Sequence, residues 1–171
     1  MESVLLPALG LMPALVIVGG LHDLVTMKIP NWISLALIVL FFPVALAAGL
    51  GPTALGVHVG VAVLALVVGM GMFALNWIGG GDAKLIAASC LWLGWSGSAM
   101  FLLWTGVAGG LFCLLLIAAR QHLQFLTPTA PGWVARLLEP KGHIPYGVAI
   151  AIGALMAFPD ADLMSGFLTG R

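Results

Sequence analysis

Residues 79–119 read GGGDAKLIAASCLWLGWSGSAMFLLWTGVAGGLFCLLLIAA. From Ala83 to Ala119 this is 37 residues of nearly unbroken hydrocarbon. One straight α-helix of that length would be about 55 Å long, nearly twice the roughly 30 Å hydrocarbon core of a bilayer. The cluster GWSGS at Gly94–Ser98 is the natural place for a break. The run therefore reads as a hairpin of two membrane-crossing helices. Its first arm, Ala83–Leu93, is short and would rise about 17 Å.

The flanking sequence follows the same pattern. Of 171 residues, 62% are hydrophobic and 7% are charged, against about a quarter charged in a soluble domain. Too little polar surface is left for a water-exposed fold, so the composition predicts an all-α, polytopic protein embedded in a lipid bilayer. A net charge of zero gives no reason to expect nucleic acid as a partner. Apolar runs place further spans at Val4–Leu21, Asn31–Leu50, Thr53–Leu75 and Ile144–Phe158. The expectation is one transmembrane domain, residues 1–171, of about six helices. The acidic Glu2 and the lack of a basic start argue for a first run kept as a span rather than cleaved as a signal peptide.

The long polar connection is Arg120–His143. Within it, GWVARLLE at Gly132–Glu139 places Trp133, Leu137 and Leu138 on one side, as a short helix lying on a membrane surface would. Cys90 and Cys113 both sit in apolar runs, with no CxxC and no HExxH. No disulfide framework, metal site or cofactor is expected.

Span parity gives a result that does not depend on orientation. Asp23 follows the first span, two spans separate it from Asp82, and two more separate Asp82 from His143–Gly147. All three polar clusters then face one side of the membrane. Lys28, Lys84, Arg120, Arg136 and Lys141 lie on that side. Glu2, Asp160, Asp162 and a single base, Arg171, lie on the other. Lys and Arg favour the cytoplasm, so the shared side is read as cytoplasmic and the N-terminus as periplasmic. Trp32, Trp77 and Trp133 fall near the cytoplasmic face, where interfacial aromatics belong.

Asp23 and Asp82 stand out in this setting. They are two of six acids, and both occupy cytoplasmic ends of spans, where a carboxylate is costly and usually functional. Asp82 is expected at the first turn of a helix, where free N–H groups and the helix dipole favour it. The preceding glycines would let the chain bend there, below the interface, in a water-filled notch. Two carboxylates brought close cannot both ionise easily, so one keeps a proton and the other can act as a base. That suits hydrolysis of a peptide by an aspartic dyad. It would equally suit proton transfer in a small proton-coupled membrane carrier, and a non-enzymatic secretion assembly factor is a further alternative.

Three motifs carry a resemblance. The first is DLVTMKIPN, with Asp23, Lys28, Pro30 and Asn31. The second is GGGDAKL, which fits a GxGD pattern with Gly79, Gly81 and Asp82, followed by Lys84. The third is IPYGVAIAIGAL from Ile144, with Pro145, Tyr146 and Gly147. In this order and spacing the chain resembles the type IV prepilin peptidases, GxGD-type membrane aspartic proteases of the bacterial inner membrane. The resemblance implies that Asp23 and Asp82 are catalytic. It also implies that prepilin and pseudopilin precursors are the substrates, and that their short, basic leader is cut off at the cytoplasmic face, typically after a glycine. Larger members carry a cysteine-rich cytoplasmic insertion between the first two spans and also methylate the new terminus. Here Asp23 precedes the second span by a few residues and no cysteine cluster exists. The chain is similar to the short, peptidase-only branch, the CpaA/TadV enzymes of Flp (Tad) pilus systems, for which no methyltransferase activity is expected.

Several residues have competing roles in this reading. Lys84 either tunes Asp82 or holds substrate, or it snorkels to the interface and sets topology. Pro30 and Asn31 shape the start of the second span. Ile144–Gly147 either lines a substrate groove or simply begins the last span. His22 and His143 are more readily interfacial than catalytic, and His58 lies far from the aspartates. The pairs Gly56/Gly60 and Gly106/Gly110 suit close helix packing inside the bundle.

Overall fold

The computed structural model describes residues 8–140 and 142–164. The expected start of the first span at Val4, and the charges Glu2, Lys141 and Arg171, lie outside the described residues. Within them the chain is helical throughout, with no strand. The elements are α1 (Leu11–Thr26), α2 (Asn31–Ala47), α3 (Pro52–Ala74), α4 (Gly80–His122), α5 (Gly132–Leu138) and α6 (Tyr146–Ala157). Three stretches, Pro52–Ala74, Gly80–His122 and Tyr146–Met164, are long and apolar enough to cross a membrane, and α1 and α2 are shorter apolar helices.

The 43-residue α4 is the hairpin that its length demands. At Gly94 the backbone leaves the helix, with φ 70° and ψ −162°, a region open essentially to glycine alone. Ser98 Oγ then donates to the Cys90 carbonyl at 3.4 Å. Residues eight apart on a straight helix would be about 12 Å apart, so the chain has turned back on itself. Of the GWSGS cluster, a single residue makes the break and helix resumes at once. An added Cβ at Gly94 would run into the Asp162 side chain. That same carboxylate accepts the Trp95 N–H at 2.9 Å, so the turn is tied to the segment that follows α6.

The first arm, residues 80–93, is the hub of the bundle, and Ala87–Leu93 is buried throughout. Each of its faces meets a different neighbour. Toward α3, Ala83 lies against Gly69 and the Leu91 carbonyl meets His58 Nδ1 at 2.8 Å. Toward α2, the Leu37 carbonyl accepts the Trp92 indole N–H at 2.8 Å. Toward α1, Leu85 packs 3.5 Å from the Cβ position of Gly19. The second arm packs on α6, with Gly109 against Ala149 and Thr105 against Gly153. Helix α6 in turn lies on α1, where Gly20 meets Ala151 and the Gly147 carbonyl. Small residues at each crossing let the backbones approach closely, as they do in membrane bundles. Leu37, Phe41, Trp92, Phe101 and Ile150 fill the core, while Val63, Val67, Leu103, Leu114 and Leu115 remain exposed. Large apolar side chains on the outside and packed helices within are the pattern of a membrane protein.

Two boundaries differ from those read off hydropathy. Helix α1 continues past Leu21 to Thr26, so Asp23 lies inside a helix rather than after it. The first arm of α4 begins at Gly80, three residues before Ala83. In both cases the helix carries on through a polar residue that hydropathy reads as an end, because the carboxylate finds a backbone donor there.

Candidate functional site

The three polar motifs meet at one end of the bundle. Helix α1 runs toward that end and the first arm of α4 runs away from it, with Gly19 and Leu85 in contact where they cross. Asp23 is one turn beyond Gly19, and Asp82 is one turn before Leu85. Positions three or four apart share a helix face, so both carboxylates project from the same side of that crossing. They lie within electrostatic reach of each other, although 58 residues separate them in the chain.

Each carboxylate is held through one oxygen by a backbone N–H. Gly147 donates to Asp23 Oδ2 at 2.8 Å, which fastens the start of α6 to α1. Asp23 is 6% exposed. No side chain fits at residue 147: a Cβ there would stand 2.8 Å from Asp23 Cβ and 2.9 Å from its Oδ2. The Gly79 N–H donates to Asp82 Oδ2 at 3.0 Å. Gly79 is therefore the N-cap of α4, and Asp82, at the third helical position, reaches back to it, which is half of a capping box. Among the described residues Oδ1 of both aspartates has no hydrogen-bond partner, which leaves one oxygen of each for water or substrate.

The remaining motif residues build the surround. Gly81 lies against Ile29, with 3.1 Å from its Cβ position to Ile29 Cβ, so the α1–α2 connection packs onto the start of α4. That connection is braced from within: the Lys28 carbonyl is 2.7 Å from His22 Nδ1 and also accepts the Thr26 hydroxyl. Pro30 is the extended N-cap of α2 and Asn31 its first residue. Lys84 Nζ donates to Asn31 Oδ1 at 3.0 Å, so its side chain points to α2, and it lines a second groove, between α2 and α3. Pro145 is the buried N-cap of α6. Tyr146 lines the main cavity together with Asp82. His22 holds the loop and His143 offers its carbonyl to Arg120. His58 is 2% exposed, stacked near Phe41 and remote from the aspartates. Among the described residues no three His, Cys, Asp or Glu side chains are grouped to hold a metal ion.

Sequence reasoning missed three features. Gly147 is the donor that positions Asp23, while the motif suggested either a groove-lining role or the mere start of the last span. Arg120 donates to the Leu137 and His143 carbonyls, and Arg136 to the Val25 carbonyl, so two bases counted for topology also brace the α4–α6 connection. Neither the Gly56/Gly60 nor the Gly106/Gly110 pair serves close packing: among the described residues no atom lies within 4 Å of the Cβ position of any of the four. Gly106 and Gly110 instead line a cavity of about 660 Å³ between α3 and the two arms of α4, and Asp82 lines it too.

The arrangement sets two carboxylates within electrostatic reach of each other, and one of them, Asp82, lines a largely apolar cavity. No curated protein and no solved structure matches the chain. The family model described as the type IV leader peptidase family matches residues 10–114, a span that takes in both Asp23 and Asp82 and more than half of the sequence. The chain belongs to the type IV leader peptidase family.

Proposed function

We propose that this protein is the peptidase of a type IV pilus system of the Flp (Tad) kind, and that Asp23 and Asp82 form its catalytic dyad. The observation that carries the reading is the meeting of these two carboxylates across α1 and α4, each held by a backbone N–H and each with an oxygen to spare. With one proton shared by the pair, the ionised carboxylate takes a proton from water. The water oxygen attacks the scissile carbonyl while the protonated carboxyl donates to its oxygen. Collapse of the tetrahedral adduct breaks the C–N bond: the proton taken from water passes to the leaving amine, and a hydroxyl proton of the adduct returns to the carboxylate that had donated one, which restores the singly protonated pair. No metal enters this scheme.

The substrates are prepilin and pseudopilin precursors, cut at the cytoplasmic face of the inner membrane, the side to which the five-to-one split of Lys and Arg assigns the dyad. The N-terminus is then periplasmic, and the six apolar helical segments, counting the two arms of α4, cross the bilayer. A scissile segment must be extended for its carbonyl to be attacked. A glycine at the cut favours this, since it weakens a helix and admits close approach. The short α1–α2 connection leaves no room for a methyltransferase insertion, so leader removal is the whole activity.

Purified protein incubated with full-length precursors should release the leader. Asp23→Asn and Asp82→Asn should each abolish release while the protein still inserts. Near-wild-type cleavage by either variant would refute the dyad.

A further inference from the structure

Gly106 and Gly110 form a GxxxG pair against which no other helix packs among the described residues. No atom approaches within 4 Å of either Cβ position, although such a pair on a membrane helix ordinarily marks where another helix packs. The pair faces the cavity of about 660 Å³ between α3 and the second arm of α4. The floor of this cavity is the first arm, which presents Asp82, Ile86 and Cys90 at four-residue intervals along one face. The lining is mostly apolar, with Ser98, Thr105 and Tyr146 as neutral polar groups and Asp82 as the charged group on it. One end of the groove is therefore the proposed catalytic site, and the other, at Trp95 and Ser98, is the turn of the hairpin.

Resting on the peptidase reading, we propose that this groove is the docking site for the part of the substrate that follows the scissile bond, which its mostly apolar lining would take as an apolar helix. It is seated against Gly106 and Gly110 and reaches the groove sideways from the lipid between α3 and the second arm. The direction follows from the geometry. The polar leader must stay on the aqueous side of Asp82, so the chain on the far side of the cut runs along the groove toward Trp95. The lined stretch from Ser98 to Gly110 is about 18 Å long, room for about 12 helical residues. The missing side chains at 106 and 110 let the incoming backbone approach closely, so the groove recognises an apolar helix mainly by shape. The alternative occupant of an unpacked GxxxG face is a second copy of this chain, and the test separates the two.

Gly106→Leu/Gly110→Leu fills the groove. Gly56→Leu/Gly60→Leu is the control, because these α3 glycines are equally without neighbours yet do not line the cavity. The groove variant should raise KM for full-length precursor about tenfold, the scale of one lost helix–helix contact, and the control should match wild type. In parallel, a photo-reactive side chain at Leu102, which lines the groove, is placed in the inactive Asp82→Asn protein. It should capture added precursor within roughly a dozen residues after the cut site, the helical length of the groove. The same probe at Val107, which is exposed and outside the groove, should not. Equal KM for groove variant and control, or capture at Leu102 of a second copy or of lipid alone, would overturn the proposal. If wild type cleaves no precursor, the peptidase reading itself has failed; if it cleaves while these contrasts vanish, the groove assignment alone has failed.

Discussion

At the scale of single residues, the proposed chemistry rests on Asp23, Asp82 and Gly147. If the two aspartates act as one unit, the Asp23→Asn/Asp82→Asn double variant should be no slower than either single one, since residues that act together are non-additive. Initial rates on one precursor test this directly. Activity against pH should be bell-shaped, because the pair is competent only with one proton bound, and both limbs belong to the pair. Asn at position 82 can still accept the Gly79 N–H, so the thermal midpoint of Asp82→Asn should stay near wild type while its rate vanishes, which separates chemistry from capping. Gly147→Ala tests positioning. Its methyl would intrude on Asp23, 2.8 Å from its Cβ, and must push the carboxylate aside. A displacement of about 1 Å in a catalytic group costs on the order of a hundredfold in rate. We expect that loss in kcat, with precursor binding retained.

At the scale of elements, the hairpin turn and the α4–α6 connection determine whether the site is assembled. Gly94 holds φ 70° and ψ −162°, and a residue other than glycine there costs about 1–3 kcal/mol of backbone strain. Gly94→Ala adds a collision with the Asp162 side chain. It should therefore lower the unfolding midpoint well beyond Gly51→Ala, whose Cβ meets no atom within 4 Å. Arg120 is the brace of the connection, with one bond to the Leu137 carbonyl at 2.8 Å and one to that of His143 at 2.9 Å. Bonds from a charged donor contribute roughly 1.5–3 kcal/mol each. Arg120→Met should expose the segment between residues 124 and 143 to limited proteolysis much faster than wild type, while the helices flanking it remain protected.

For the whole molecule, orientation decides whether the dyad and the leader share a compartment. A reporter fused after Gly132 should score cytoplasmic, and one fused after Gly51, in the α2–α3 connection, should score periplasmic. The reverse pattern would contradict the charge asymmetry and place the dyad on the wrong side of the membrane for its substrate. The architecture also explains how a short arm can host the chemistry. Residues 80–93 would rise about 21 Å, less than a bilayer core, but this arm is wrapped by α1, α2, α3 and the second arm. Its polar start can therefore sit below the membrane surface, where protein and a cavity rather than lipid surround it.

The helical class, the hairpin in α4 and its break near Gly94 followed from the sequence alone, because hydrocarbon length against bilayer thickness is a one-dimensional constraint. The two aspartates were legible for a similar reason: a carboxylate among so few charges has to be justified locally, and motif spacing together with span parity brought them to one face. Helix ends were less legible. Helix α1 runs through Asp23 because a backbone N–H from Gly147, 124 residues away, satisfies the carboxylate, and hydropathy carries no information about distant donors. The same limit applies to Lys84, whose partner is Asn31, and to Arg120 and Arg136, which look like topology signals until their carbonyl partners are seen. Most of all it applies to glycine. In sequence Gly20, Gly106 and Gly147 are alike, yet Gly20 lies against Ala151 and α6 backbone, Gly147 against Asp23, and Gly106 against open space. A residue with no side chain takes its role wholly from what stands beside it, and only the packing of the helices decides that.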